Sequence, residues 1–300
     1  SSNVDGYLRG QNITSSNGIS HIQNFTSSLG GPLMKDRVWF FLSAQHLSTD
    51  ELVANTPEFL IAPDGEYIRS MLDQYVRHAL ARFTYQVNTN NKIASFFQRT
   101  WKRKGKDFGF GTDPRAATHR DPHRSHMGIG NIKYTNTWSS RILIEGGYST
   151  NYAHQIMNNQ PGDSYPRLLP DGRINPVWFA NARKTDTALN INRDCAYSYG
   201  CTAWMSNGAD RRVEDTRKVL TAAFSYVTGS HNFKVGLQDS FGPVHVFNDR
   251  QGDLILNYQN GRPSSVTVFS TPGDTFDSVK FDLGYFVQDS WTIRRLTLNM

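Results

Sequence analysis

The chain has 300 residues, of which only 38% are hydrophobic, yet 12% are aromatic and 24 are Gly. Disordered chains are poor in aromatics, and no run nears the roughly 18–20 apolar residues of a membrane-spanning helix, so both of those classes are set aside. The net charge of +6 raises nucleic acid as a partner, but the densest basic run, Arg99 to Lys106, has no recognisable nucleic-acid module around it and reads as a strand running into a solvated loop, so no nucleic-acid partner is expected.

The opening residues, Ser1-Ser2-Asn3-Val4-Asp5-Gly6, have neither a basic start nor an apolar core, so an export signal would have been removed or would lie upstream. Residues 19–29 then read as a strand, Gly30-Gly31-Pro32-Leu33-Met34-Lys35-Asp36 as a turn, and 37–47 as the returning strand. A second hairpin runs over 75–87, turns through Asn88-Thr89-Asn90-Asn91 and returns over 92–102, although alternation over 93–101 is too poor to identify a strand by itself. A third pairs 127–137 with 141–152 across Trp138-Ser139-Ser140.

Further on, Leu220, Ala222, Phe224 and Tyr226 alternate with Thr221, Ala223 and Ser225. After a short Gly-containing turn, Phe233, Val235 and Leu237 alternate with Lys234, Gly236 and Gln238. From 279 the apolar set Val279, Phe281, Leu283, Tyr285 and Val287 interleaves with Lys280, Asp282, Gly284, Phe286 and Gln288. This predicts one uninterrupted strand over 279–290, with Phe281, Leu283 and Tyr285 toward lipid and Asp282, Gly284 and Gln288 toward a barrel interior. The last residues, Leu296-Thr297-Leu298-Asn299-Met300, read as a further strand cut soon after it begins.

Between the hairpins lie long polar connections, about 48–72, 105–123, 153–214 and 249–277. Short turns that alternate with long loops along a whole chain are the order of an outer-membrane barrel, whose periplasmic turns are short and extracellular loops long. Strands of 10–15 residues suit a tilted crossing, and Trp39, Trp138, Tyr152 and Trp291 fall near strand ends, where interfacial aromatics belong. The expected fold is therefore all-β: a transmembrane antiparallel barrel, of which this chain supplies a part.

The stretch Gly30-Gly31-Pro32-Leu33-Met34-Lys35-Asp36-Arg37-Val38-Trp39-Phe40-Phe41 resembles TonB-dependent receptors of the Oar-like, carboxypeptidase-regulatory-domain type. Tyr285-Phe286-Val287-Gln288-Asp289-Ser290-Trp291, followed by Leu296-Thr297-Leu298-Asn299, is similar to a later hairpin of the same family. The resemblance implies that residues 1–300 are a partial barrel domain, roughly ten strands of a barrel of about 22. It also implies an N-terminal plug and a TonB box that this chain does not contain. The function it implies is TonB-dependent active import of a scarce nutrient across the bacterial outer membrane, with outer-membrane lipid and the TonB complex as partners. The substrate would be a small molecule, an oligosaccharide or a peptide. A passive porin-like channel, a surface adhesin on a barrel and, more distantly, a soluble carbohydrate-binding β protein are the rivals.

By the same family analogy, ligand contacts fall to loop aromatics, of which Trp178, Phe179, Tyr197, Tyr199 and Trp204 are the candidates, with packing of the loop on itself the competing role. Cys195 and Cys201 bracket five residues of the longest connection and, in an extracellular setting, read as a disulfide. His119, Asp121, His123 and His126 are metal-ligand types, but the interleaved Arg120 and Arg124 would oppose a cation, so no metal is expected. No cofactor is expected. No catalytic motif such as G-x-S-x-G, H-E-x-x-H or a Walker loop occurs, so no enzymatic activity is expected.

Overall fold

The structure, a computed structural model, describes residues 4–10, 15–54, 56, 58–61, 65, 67–109, 112–121, 123–160, 163–186, 203–204 and 210–300. A short helix, α1 (Gly6–Gly10), precedes strands β1 (Gly18–Met34), β2 (Val38–Leu52), β3 (Phe59–Ile61), β4 (Tyr67–Arg69), β5 (Met71–Asn88) and β6 (Asn91–Asp107). They are followed by β7 (Thr118–Arg120), β8 (His126–Thr137), β9 (Ile142–Asn159), helix α2 (Pro176–Ala180), β10 (Arg183–Asp186) and β11 (Ala203–Trp204). The remainder comprises β12 (Asp210–Thr228), β13 (His231–Asp249), β14 (Leu254–Gln259), β15 (Arg262–Val268), β16 (Gly273–Val279), β17 (Leu283–Ile293) and β18 (Leu296–Asn299).

One large antiparallel sheet runs β1-β2-β5-β6-β7-β9-β12-β13-β17-β18, with β8 beside β7 between β6 and β9, and β16 beside β17 on β13. The path has ten positions, in line with the roughly ten strands that the resemblance implies, and the turns joining neighbours at one end are short. Left-handed residues sit in them where the chain must reverse: Asp36 (φ 58°), Gly229 (φ 49°) and Arg294 (φ 53°).

The register assigns each side chain to a face, because directly paired residues of an antiparallel ladder point the same way. One rung joins Tyr85, Ile93, Tyr134, Gly146, Ala222, Leu237 and Tyr285. The next rung joins Gln86, Lys92, Thr135, Glu145, Ala223, Gly236 and Phe286. The first face carries Leu29, Leu42, Phe83, Phe97, Ile132, Leu220, Phe224 and Val235, all strongly exposed in the isolated sheet. Across the second face Glu145 bridges Lys133 (2.5 Å) and Lys234 (3.1 Å). An unbroken apolar surface of this size finds a stable setting in hydrocarbon, and the charged face in a water-filled lumen. Phe286, an aromatic on the polar face, lies over Gly236, where a Cβ would come within 2.5 Å of its ring. Trp39 pairs with Thr84 on that polar face as well, so it is not a lipid-side girdle residue.

Three expectations need correction. First, six of the large strands exceed 10–15 residues, β1 and β6 with 17, β5 and β9 with 18, β12 and β13 with 19, while β2, β8 and β17 keep the expected length with 15, 12 and 11. A tilted crossing needs about 9–11 residues, so the ladders continue well past the bilayer. There both faces meet water or other loops, the apolar alternation lapses, and the sequence reads as loop although the backbone stays paired. The connections 48–72, 105–123, 153–214 and 249–277 are shortened accordingly and contain strands of their own.

Second, β1 does not stop at Leu29 but runs through Gly30-Gly31-Pro32 to Met34, leaving a turn over 35–37. Pro32 is tolerated because it lies at a register shift, between its own pair with Trp39 and that of Met34 with Val38, where the ladder is already irregular.

Third, 279–290 is not one strand. On β13, Gly242 pairs with Val279 and Asp239 with Leu283, so three residues (280–282) oppose two (240–241). That is a bulge, and one extra residue reverses the alternation beyond it. Val279 therefore faces opposite to Leu283, Tyr285 and Val287, which keep the apolar face, while Gly284 and Gln288 keep the polar one. Phe281 and Asp282 lie in the bulge, where the Asp282 N–H donates to Asp239 Oδ1 and the Ser240 N–H to the Asp282 carbonyl, each at 3.1 Å.

Candidate functional site

The buried apolar residues gather not in the sheet but at its long-loop end. Val53, Phe108 and Ala117 pack together with Leu72 against them. The 3₁₀ turn Pro114–Ala116 beside them is capped by Asp113, whose carboxylate accepts from the Arg115 backbone (2.9 Å) and guanidinium (3.0 Å).

A second assembly joins the connections after β9 and β13. Asn175 caps α2 by accepting from the Val177 N–H (3.0 Å) and donates to the Pro166 carbonyl (3.0 Å), while Pro176 supplies a φ suited to the first turn. The helix thereby places Trp178 inward, only 3% exposed, with the Arg167 guanidinium 5.2 Å from its ring centre. Arg167 also pairs with Asp253 (2.8 Å) and donates to the Thr271 carbonyl (2.8 Å). The Gln251 side-chain amide meets both backbone groups of Tyr165, at 3.2 and 3.3 Å. Gly252 (φ 73°) lies so close to Ala182 that a Cβ there would be 2.7 Å from the alanine methyl.

The two connections then pair as a separate sheet, β11-β10-β14-β15, in which β10 and β14 are parallel. Asp186, 3% exposed, closes the β14–β15 turn by accepting from the N–H groups of Asn260 (3.1 Å) and Gly261 (2.7 Å). The result is a braced platform at the loop end, able to present side chains in a fixed arrangement.

Among the aromatic candidates, Trp178 is packed inside this platform, and Phe179 beside it is 54% exposed. Tyr197, Tyr199, Cys195, Cys201 and the side chain of Trp204 lie outside the described residues; the Trp204 backbone pairs with Lys184. His119, Asp121, His123 and His126 are not drawn together. His126 instead packs against His154 (4.8 Å) and Tyr152 (5.8 Å), and His119 pairs in the ladder with Asn158. Arg167, Asp186 and Gln251 escaped the sequence reading because their partners are 74–104 residues away, and no local motif signals such a bond.

Trp178→Ala should destabilise the platform by about 3–5 kcal/mol, as for other buried Trp truncations, while the barrel persists. Limited proteolysis should cut within 160–186 many-fold faster, with gel migration of the barrel unchanged. Unaltered proteolysis would show that Trp178 does not hold the platform.

Asp163, close to Asp113 and Arg115, has its carboxyl pushed up to about 6, chiefly by burial. The folded platform then keeps a proton that the unfolded chain releases near its ordinary value of 3.8, so stability is greater in acid and falls as pH rises from about 4 to 6. Solvent screening limits this to the order of 1 kcal/mol. Hydrogen exchange over 160–186, corrected for intrinsic rates, should show more protection at pH 4.5 than at pH 7. Asp163→Asn should remove the difference; its survival would place the titration elsewhere.

Comparison with known proteins adds to this geometry. No protein-family model matches the chain. The chain is 22% identical, over 96% of its length, to the TonB-dependent transporter Oar of Myxococcus xanthus, and it spans about a third (33%) of that relative. Among solved structures it is similar to the outer-membrane transporter YddB of Escherichia coli, with a TM-score of 0.51 and 10% identity over 93% of this chain and 33% of that one. It is also similar to the closed form of the ferric-catecholate import receptor Fiu of E. coli K12, with a TM-score of 0.43 and 14% identity over 93% of this chain and 43% of that one.

An antiparallel sheet with one apolar face, one polar face, short turns at one end and braced loops at the other defines an outer-membrane β-barrel. Within that class, the similarity to the TonB-dependent transporter Oar extends along nearly the whole chain.

Proposed function

We propose that this chain is part of a barrel that imports a scarce nutrient by TonB-dependent active transport, its loop platform taking part in ligand capture. The observation that carries the reading is the similarity, along 96% of this chain, to a third of the transporter Oar, on a sheet with a lipid-compatible face. In that arrangement residues 1–300 are a barrel segment. A plug supplied elsewhere in the protein would contact the polar face near Glu145, Lys133 and Lys234. The braced platform then sets the first contact with an iron chelate, oligosaccharide or peptide.

The test is growth and uptake of a strain lacking the gene, complemented with the full-length gene in TonB-proficient and TonB-deficient backgrounds, with each nutrient class limiting in turn. Uptake that requires both the gene and TonB supports the proposal. Gene-dependent uptake that ignores TonB indicates a passive channel, and cell or matrix binding without uptake indicates an adhesin.

A Cys195–Cys201 bridge belongs to the same proposal, since the pair would face an oxidising exterior. Non-reducing peptide mapping of the exported protein should find the two linked, with at most a few kcal/mol of stabilisation from so small a loop. Full alkylation of both thiols without reduction would rule the bridge out.

A further inference from the structure

The outward face of the first four large strands carries a feature that transport does not explain. A trough of about 630 Å³ lies there, its floor made by the small residues Ala44, Ala79 and Ala81 and its walls by Leu29, Leu42 and Phe97. It continues into a second hollow of about 770 Å³, with which it shares Ser27, Ala44 and Trp101, and which is lined by His46, Tyr75 and Arg77. Along β5 the aliphatic outward residues end at Ala79, followed by Arg77 and then Tyr75; along β6 Phe97 is followed outward by Arg99 and then Trp101. The two guanidinium groups therefore stand at the boundary of the apolar band, on the long-loop side.

These cations are held in place and not consumed by acids. Arg77 lies over the Tyr75 ring (4.5 Å) and its Nε donates to His46 Nδ1 (3.1 Å). Arg99 lies against the Trp101 ring (5.2 Å), and its buried Nε has no hydrogen-bond partner among the described residues. Arg103 is the contrasting case, since Asp73 pairs with it at 2.8 Å. Neither Arg77 nor Arg99 forms an ion pair of that kind among the described residues.

We propose that this face is a binding site for a phosphorylated glycolipid of the outer leaflet: an acyl chain fills the Ala44–Ala79–Ala81 trough, and Arg77 and Arg99 receive the headgroup phosphate. The pairing follows from chemistry. A mostly apolar trough with small residues on its floor accepts a hydrocarbon chain. Guanidinium forks favour phosphate oxygens, and aromatic rings beside them suit the interface and the faces of a sugar. The orientation rests on the outer-membrane reading, in which the long-loop end faces the exterior.

The full-length protein, purified in detergent, should retain bisphosphorylated lipid A in native mass spectrometry and bind it at least tenfold more tightly than dephosphorylated lipid A. The double variant Arg77→Gln/Arg99→Gln should lose at least tenfold in that binding, and Ala79→Leu, which fills the trough, should lose a similar factor with the cations intact. Lys92→Gln, on the opposite face, should change nothing. Equal binding by wild type and the double variant, or no preference for the phosphorylated lipid, would overturn the proposal. Displacement by millimolar inorganic phosphate with no contribution from the acyl chains would overturn it too, in favour of a free-anion site. Heat-modifiable migration separates the two readings: a protein that forms no barrel fails the outer-membrane reading, whereas a formed barrel that binds no lipid A fails only this one.

Discussion

Val235→Arg should prevent most of the full-length protein from assembling, whereas Gln238→Arg should leave the barrel formed. Val235 is 42% exposed on the apolar face, in a rung with Phe224 and Val287. Polar groups bracket this band along β13 and β17: the His231–Asp289 pair (2.7 Å) on the short-turn side and Asp239 on the other. A cation near the bilayer midplane costs roughly 2–4 kcal/mol and much less near either interface. Every 1.4 kcal/mol is about a factor of ten in an equilibrium, so the loss should exceed tenfold. Gln238 shares the polar face with Thr221, so an Arg there meets water. Leu283→Arg should be milder than Val235→Arg, because Leu283 sits at the outer edge of the band directly opposite Asp239. Heat-modifiable migration and recovery from outer-membrane fractions give the readout. Normal assembly of Val235→Arg together with failure of Gln238→Arg would mean that the faces are inverted.

Gly242→Ala should be the most damaging single substitution of a glycine in the sheet. Gly242 has φ 153°, and a Cβ at this position would lie 1.8 Å from the backbone oxygen of Thr216, an atom fixed within its own strand. The neighbouring Pro243 has no N–H to give the ladder, and the β12–β13 pairing is interrupted between Asp215↔Val244 and Lys218↔Phe241. On the other side of β13, the bulge at 280–282 begins at this point. Gly242 is thus where β13 bends between two interrupted ladders, and an added methyl must push β12 away. Backbone strain and overpacking are each about 1–3 kcal/mol, so a total near the upper end of that range or beyond it is expected. Gly146→Ala is the control, since no atom lies within 4 Å of the place its new methyl would take. Urea-gradient unfolding of the two variants in detergent should show a lower midpoint for Gly242→Ala alone; equal midpoints would show that β13 does not need this bend.

How much of this was legible in the sequence follows from the range of each force. Between lipid and lumen, alternate side chains of a strand meet opposite solvents, so Leu220 to Tyr226, Phe233 to Gln238 and Leu283 to Gln288 announce both their strands and their faces. The turns at 89–90, 138–141 and 229–230 were equally local, since a reversal must be made by its own few residues. β6 was obscure because Phe96 occupies the polar face and Ser95 the apolar one, which blurs the period.

What the sequence by itself determined was therefore an antiparallel, lipid-facing sheet of about ten positions with short turns at one end, together with its family resemblance. The tertiary structure decided the rest. It extended the ladders past the bilayer, where pairing continues without an apolar pattern to reveal it. It placed a bulge at 280–282 that reverses the face of Val279, because only the partner strand shows where one residue too many has been inserted. It also joined two distant connections through Arg167, Asp186 and Gln251, with Trp178 packed inside the platform they form. Periodicity reports the solvent on either side of a strand; it carries no information about which other segment lies beside it.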